Sequence, residues 1–108
     1  MLNTKYEFLP QELLSVGINL ESLGIGEIAW KYEDALVVID FIFRKGYPIL
    51  GGDVYVYNKD TVEITCDSWY LDETDSKDFI QDSKNKAIEY INNYSTLNGV
   101  NYVYSITY

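Results

Sequence analysis

The chain predicts an α+β domain, and three observations carry that prediction. Residues 27–45 repeat apolar side chains at helical spacing, residues 49–57 and 61–67 alternate in strand fashion around a polar turn, and a second helical stretch precedes a terminal alternating run. The expected architecture is a small antiparallel sheet of about three strands, a hairpin plus a C-terminal strand, packed against two long helices with a short N-terminal helix. At 108 residues the chain fits one domain spanning 1–108.

Each element has a local reason. Pro10-Gln11-Glu12-Leu13-Leu14 reads as a short helix, with Pro at an early helical position and Gly17 as its stop. From residue 27 to 45, Ile28, Tyr32, Ala35, Leu36, Ile39, Ile42 and Phe43 recur every three or four positions, which places them on one side of a helix. Trp30, Val37 and Phe41 fall off that stripe, so this helix is expected to be covered on more than one side. Gly46 supplies its end and Pro48 prevents its resumption.

Residues 49–57 and 61–67 flank Asn58-Lys59-Asp60, a turn-prone tripeptide, and therefore predict an antiparallel hairpin. Val62, Ile64 and Cys66 alternate with Glu63 and Thr65. One face of the pair is expected to meet the helices and the other, rich in Tyr and Thr, to be wet or to hold a partner. Thr74 or Asp75 is a candidate cap for a helix over residues 76–94, whose stripe is Ile80, Ala87, Ile91 and Tyr94, assisted by Ile88. Residues 100–108 alternate again and should extend the hairpin's sheet.

Composition narrows the functions. The chain is 47% hydrophobic and 23% charged, a globular balance, and its 17 acids against 8 bases give −9. A basic footprint for nucleic acid or anionic lipid is thereby disfavoured, and basic partners are favoured. Six acids (Asp67, Asp72, Glu73, Asp75, Asp78 and Asp82) face only Lys77 between positions 67 and 82. Such a run is also what a solvated helix N-terminus collects. The single cysteine, Cys66, excludes an internal disulfide and reads as a buried inert thiol. The N-terminus has no secretory pattern and the apolar stretch 35–43 is too short to span a bilayer, so a soluble cytoplasmic protein is expected.

Catalytic chemistry is poorly supplied. There is no histidine, hence neither the commonest general base nor the commonest metal ligand. Cys66 has no imidazole partner, and no phosphate-cradling or dinucleotide-binding glycine motif occurs. Neither a cofactor nor a metal is expected, although Asp53 and Asp67 would form a carboxylate pair if the hairpin brought them together.

The most unusual stretch is Ile49-Leu50-Gly51-Gly52-Asp53-Val54-Tyr55, followed by Asp67-Ser68-Trp69-Tyr70. Glycine inside a strand marks a bulge or a close backbone approach, and Asp is depleted from strands. Two accounts fit: a hairpin held in register by an Asp53 bond to backbone or to the Trp69 indole, or a surface shaped to meet a partner. The aromatic inventory of eleven Tyr, four Phe and two Trp favours a protein-binding surface. Tyr55, Tyr57, Tyr70, Tyr102 and Tyr104 lie in or beside predicted strands, where several would share a face.

Those motifs, with Ala29-Trp30, Asp34-Ala35-Leu36 and Ala87-Ile88-Glu89-Tyr90-Ile91, make residues 24–106 resemble the bacterial polymorphic-toxin immunity proteins of the immunity protein 40 family. Ser68 stands where the family pattern has an amide, and the first twenty residues have no strong counterpart. The resemblance implies a non-catalytic cytoplasmic antidote that binds the cognate toxin domain. Contact candidates are Asp53, Tyr55, Asp67, Trp69, Tyr70, Asp72, Glu73, Asp75 and Asp78. The alternatives are an acidic DNA mimic or decoy, and a small cation- or carbohydrate-binding module.

Overall fold

A computed structural model describes residues 6–71 and 78–108. In chain order the elements are α1 (Gln11–Val16), β1 (Ile18–Asn19), a 3-10 turn (Glu21–Leu23), β2 (Ile28–Lys31), α2 (Tyr32–Arg44), β3 (Gly51–Asn58), β4 (Thr61–Tyr70), α3 (Phe79–Asn98) and β5 (Tyr102–Thr107). The class is α+β as expected, but the sheet has five antiparallel strands in the order β1-β2-β5-β3-β4.

The two additional strands come from the N-terminal third. Residues 28–31 were expected to begin the long helix; instead they form β2, which pairs with β5 through Ala29↔Ser105, Trp30↔Tyr104 and Lys31↔Val103. Trp30 misses the helical stripe because it belongs to a strand. There it is fully buried, its indole N–H donates to the Leu13 carbonyl at 2.8 Å, and Tyr6 meets its ring edge-on. Only at Tyr32 does the helix start, and it buries Ala35, Val38, Ile39 and Ile42, the i, i+3, i+4, i+7 set. The expected second covered side of this helix is absent at Val37, which is exposed.

The hairpin forms as read. Lys59 and Asp60 have φ of 50° and 65°, the two left-handed residues of a turn whose twist matches its strands. β5 lies between β2 and β3, so the last strand closes the sheet's centre. Helix α3 buries Ser83, Ala87 and Ile91 against the rest. The Ser83 hydroxyl accepts from the Ile49 N–H at 2.8 Å, and Lys84 reaches Asp40 at 3.2 Å, joining α3 to the approach of β3 and to α2. The proposed Thr74 or Asp75 cap lies outside the described residues.

Each face of the sheet has its own core. Trp30, Val54, Trp69, Tyr104 and Ile106 face the helices, where Val38, Ile39, Ile42, Ala87 and Ile91 meet them. Ala29, Tyr55, Val62 and Val103 point the other way and are covered by Leu20, with Leu23 and Ile25 beside them. That second face was expected to be wet or partner-bound; instead the β1–β2 connection covers part of it. The strand tyrosines are divided accordingly. Tyr55 lies on the face carrying Leu20, whereas Tyr102 and Tyr104 pack on the helix side.

Candidate functional site

The double glycine is explained by Trp69. Gly52 pairs with Trp69 across the hairpin and with Ile106 on its other side. A Cβ on Gly52 would collide with the Ser105 carbonyl and with the far edge of the Trp69 ring; one on Gly51 would strike the Trp69 carbonyl. The indole therefore lies across a groove that only glycine leaves open. Tyr90 of α3 stacks on its outer side with centroids 4.9 Å apart, and the row continues through Tyr94 to Tyr102. Trp69 is 5% exposed, and among the described residues its indole N–H has no hydrogen-bond partner. The expected Asp53–indole bond is thus not made; stacking and shape hold the ring instead.

Asp53 is part-exposed on the opposite face. Its backbone N–H donates to the Ser105 hydroxyl at 3.2 Å, and burial, then the nearby Glu27 carboxylate, push its carboxyl above the usual range. Tyr55 is 4% exposed, and burial followed by the Asp53 charge raises its phenol. Asp67 looks the other way and accepts from the Tyr94 hydroxyl at 2.8 Å. Burial, then that bond, raises the Tyr94 phenol. Asp53 and Asp67 consequently serve different faces and do not form a shared carboxylate site.

Between them β4 bulges. Tyr55 pairs with Ile64 but Asp53 pairs with Ser68, so three residues of β4 oppose the single Val54. Cys66 sits there with φ of 69° and is exposed, which overturns the buried-thiol expectation. Thr65 repairs the ladder: its hydroxyl donates to the Val54 carbonyl at 2.7 Å and accepts from the Asp67 N–H at 3.0 Å. Strand alternation alone carried no sign of this, because the signal is a two-residue excess visible only against the partner strand.

Beyond the bulge Tyr70 is 72% exposed, and the adjoining Leu71 N–H donates to the Leu50 carbonyl at 2.9 Å, so the exposed Leu50 and Tyr70 flank one end of the hairpin. Asp78 is exposed immediately before α3. Asp72, Glu73 and Asp75 lie outside the described residues. Of the candidates that are described, Asp67, Tyr70 and Asp78 present exposed side chains, Asp53 a partial one, while Tyr55 and Trp69 are interior. Sequence reasoning missed Glu27, Ile64 and Tyr94, which gain their relevance only from what the fold sets beside them.

No described helix is long and apolar enough to cross a membrane. An open depression on α3, lined by Asp82, Asn85, Lys86, Glu89, Tyr90 and Asn93, carries both charge signs. What the surface offers is therefore a strand edge with acids and exposed apolar side chains. The immunity protein 40 family matches residues 19–108, from β1 through β5, and the chain belongs to that family. Comparison with curated proteins and with solved structures gives no match.

Proposed function

We propose that this protein neutralises a cognate bacterial toxin domain in the cytoplasm by binding it, without making or breaking covalent bonds. Family membership across nearly the whole folded domain carries the reading. The net charge of −9 supports a basic target, such as a nuclease, drawn in by long-range attraction. Exposed Tyr70 and Ile64, together with Asp67 and part-exposed Asp53, supply side chains of the kind that give an interface its lasting affinity and its steering. Asp72, Glu73, Asp75 and Asp78 follow in the sequence and belong to the same proposal.

The test is a titration of the toxin domain encoded beside this chain. Stoichiometric addition should abolish toxin activity, with a stable complex on gel filtration at physiological salt. Undiminished toxicity in cells co-expressing both proteins rejects the reading.

A further inference from the structure

We infer that the outer edge of β4, Thr61–Tyr70, is where the toxin adds an extended basic segment as a further strand of the sheet. This rests on the toxin-binding reading above and goes beyond it by naming the mode of contact. The sheet ends on β4, whose outer side pairs with no described strand, whereas the opposite edge, β1, is two residues long. An edge left unpaired among the described residues is a template for another chain unless something blunts it.

Hydrogen-bond alternation identifies the free groups. The two-residue turn makes Asn58/Thr61 and Val56/Glu63 the bonded pairs, so the N–H groups of Val62 and Ile64 point outward. Consistently, the Tyr57 N–H opposite Val62 turns away and donates to the Asn101 carbonyl at 2.8 Å. Past the bulge, the Asp53 N–H goes to Ser105 and the Leu71 N–H to Leu50, which leaves Ser68 and Tyr70 directed outward. Two short ladders, 61–64 and 68–70, are thus separated by the turn of chain at Cys66. An incoming strand must accommodate that interruption, which is a source of selectivity that a flat edge lacks.

Side chains agree with the main chain about the occupant. Ile64 is 58% and Tyr70 72% exposed, one beside each ladder, where a cross-strand neighbour would cover them. Glu63 and Asp67 are exposed on the same strand, which contains no Lys or Arg. A segment bearing Lys or Arg complements it. A second copy of this chain does not: antiparallel β4–β4 pairing would bring these acids together between two molecules of charge −9.

Residue-resolved hydrogen exchange on the full chain, alone and with the inactivated toxin domain encoded beside it, tests the proposal. The N–H groups of Val62, Ile64, Ser68 and Tyr70 should slow by at least about tenfold in the complex, while those of Lys86 and Glu89 on outer α3 stay unchanged. Ile64→Pro, which deletes one outward donor at an edge position, should weaken binding about 30-fold more than Ile64→Ala. If Ile64→Pro does not fold, the exchange experiment alone decides. A complex that leaves the β4 edge exchanging as before overturns strand addition but keeps toxin binding; failure to form any complex overturns both. Protection of the same four groups in the isolated protein, with a doubled mass in solution, assigns the edge to a second copy and also overturns the proposal.

Discussion

The Trp30 side and the Trp69 side of the sheet solve the same packing problem differently. Trp30 is closed on every count: a fully buried ring, an indole N–H satisfied by Leu13, an edge-on Tyr6, and a neighbouring edge strand of two residues. Trp69 is buried against Gly52 and Tyr90, but its N–H has no partner among the described residues, and its strand bulges and pairs on its outer side with no described strand. A buried unpaired donor forfeits free energy, and an open edge invites association, so neither feature is what stability alone selects. Among the described residues the β1–β2 side is the more completely closed, and the proposed contact surface lies on the β4 side.

Gly52→Ala should break the Trp69 side most severely. The new methyl meets a backbone carbonyl that cannot swing aside as well as the ring, and a loss of about 3 kcal/mol is expected from overpacking of this kind. The urea midpoint reads it. Replacing each tryptophan by Phe sharpens the contrast. Trp30→Phe removes ring volume and strands the Leu13 carbonyl, for about 2 kcal/mol, whereas Trp69→Phe deletes a donor that bonds nothing and should remove about 1 kcal/mol. Equal losses would erase the distinction.

Alkaline titration probes the core shared by both sides. Tyr104, paired with Trp30 and 1% exposed, has its phenol pushed up to about 12 by burial, then by the neighbouring tyrosines Tyr90, Tyr102 and Tyr32. A phenol whose folded value exceeds its unfolded value of 10.0 stays neutral in the fold, so the stability it carries is full below pH 10 and lost as pH rises toward 12. Phenolate absorbance followed with far-ultraviolet circular dichroism should show late ionisation coinciding with unfolding. The smallest effect is expected at Cys66→Gly: φ of 69° is left-handed, so glycine there should stabilise by about 0.5–1 kcal/mol. The exposed thiol of the parent protein should react with a thiol reagent without denaturant.

Legibility followed locality. The central part of α2, the middle of α3, the hairpin and β5 were readable because their apolar spacing lies within each segment, and Gly46 and Pro48 mark where α2 must end. Residues 27–31 misled because Ile28 and Trp30 fit strand alternation while Ile28, Tyr32 and Ala35 fit a helix; only pairing with β5 arbitrates. The Gly51-Gly52 pair was rightly suspected of close approach, and the identity of the approaching group, the Trp69 ring and its carbonyl, required the register of the hairpin. Tyr55 and Trp69 looked like contact residues by type, yet the same apolar bulk that suits an interface was used inside.

The amino-acid sequence by itself determined the class of fold, the helices and hairpin, the −9 charge and the absence of any histidine, since each is a property of composition or of short-range spacing. Tertiary structure alone decided that residues 28–31 are a strand, that Leu20 covers the second face, that Cys66 is exposed on a bulge, and that β4 stands last among the described strands of the sheet. The reason is that strand pairing couples residues far apart in the chain, and a pattern with period two or 3.6 states which face a side chain takes but not which distant segment will cover it.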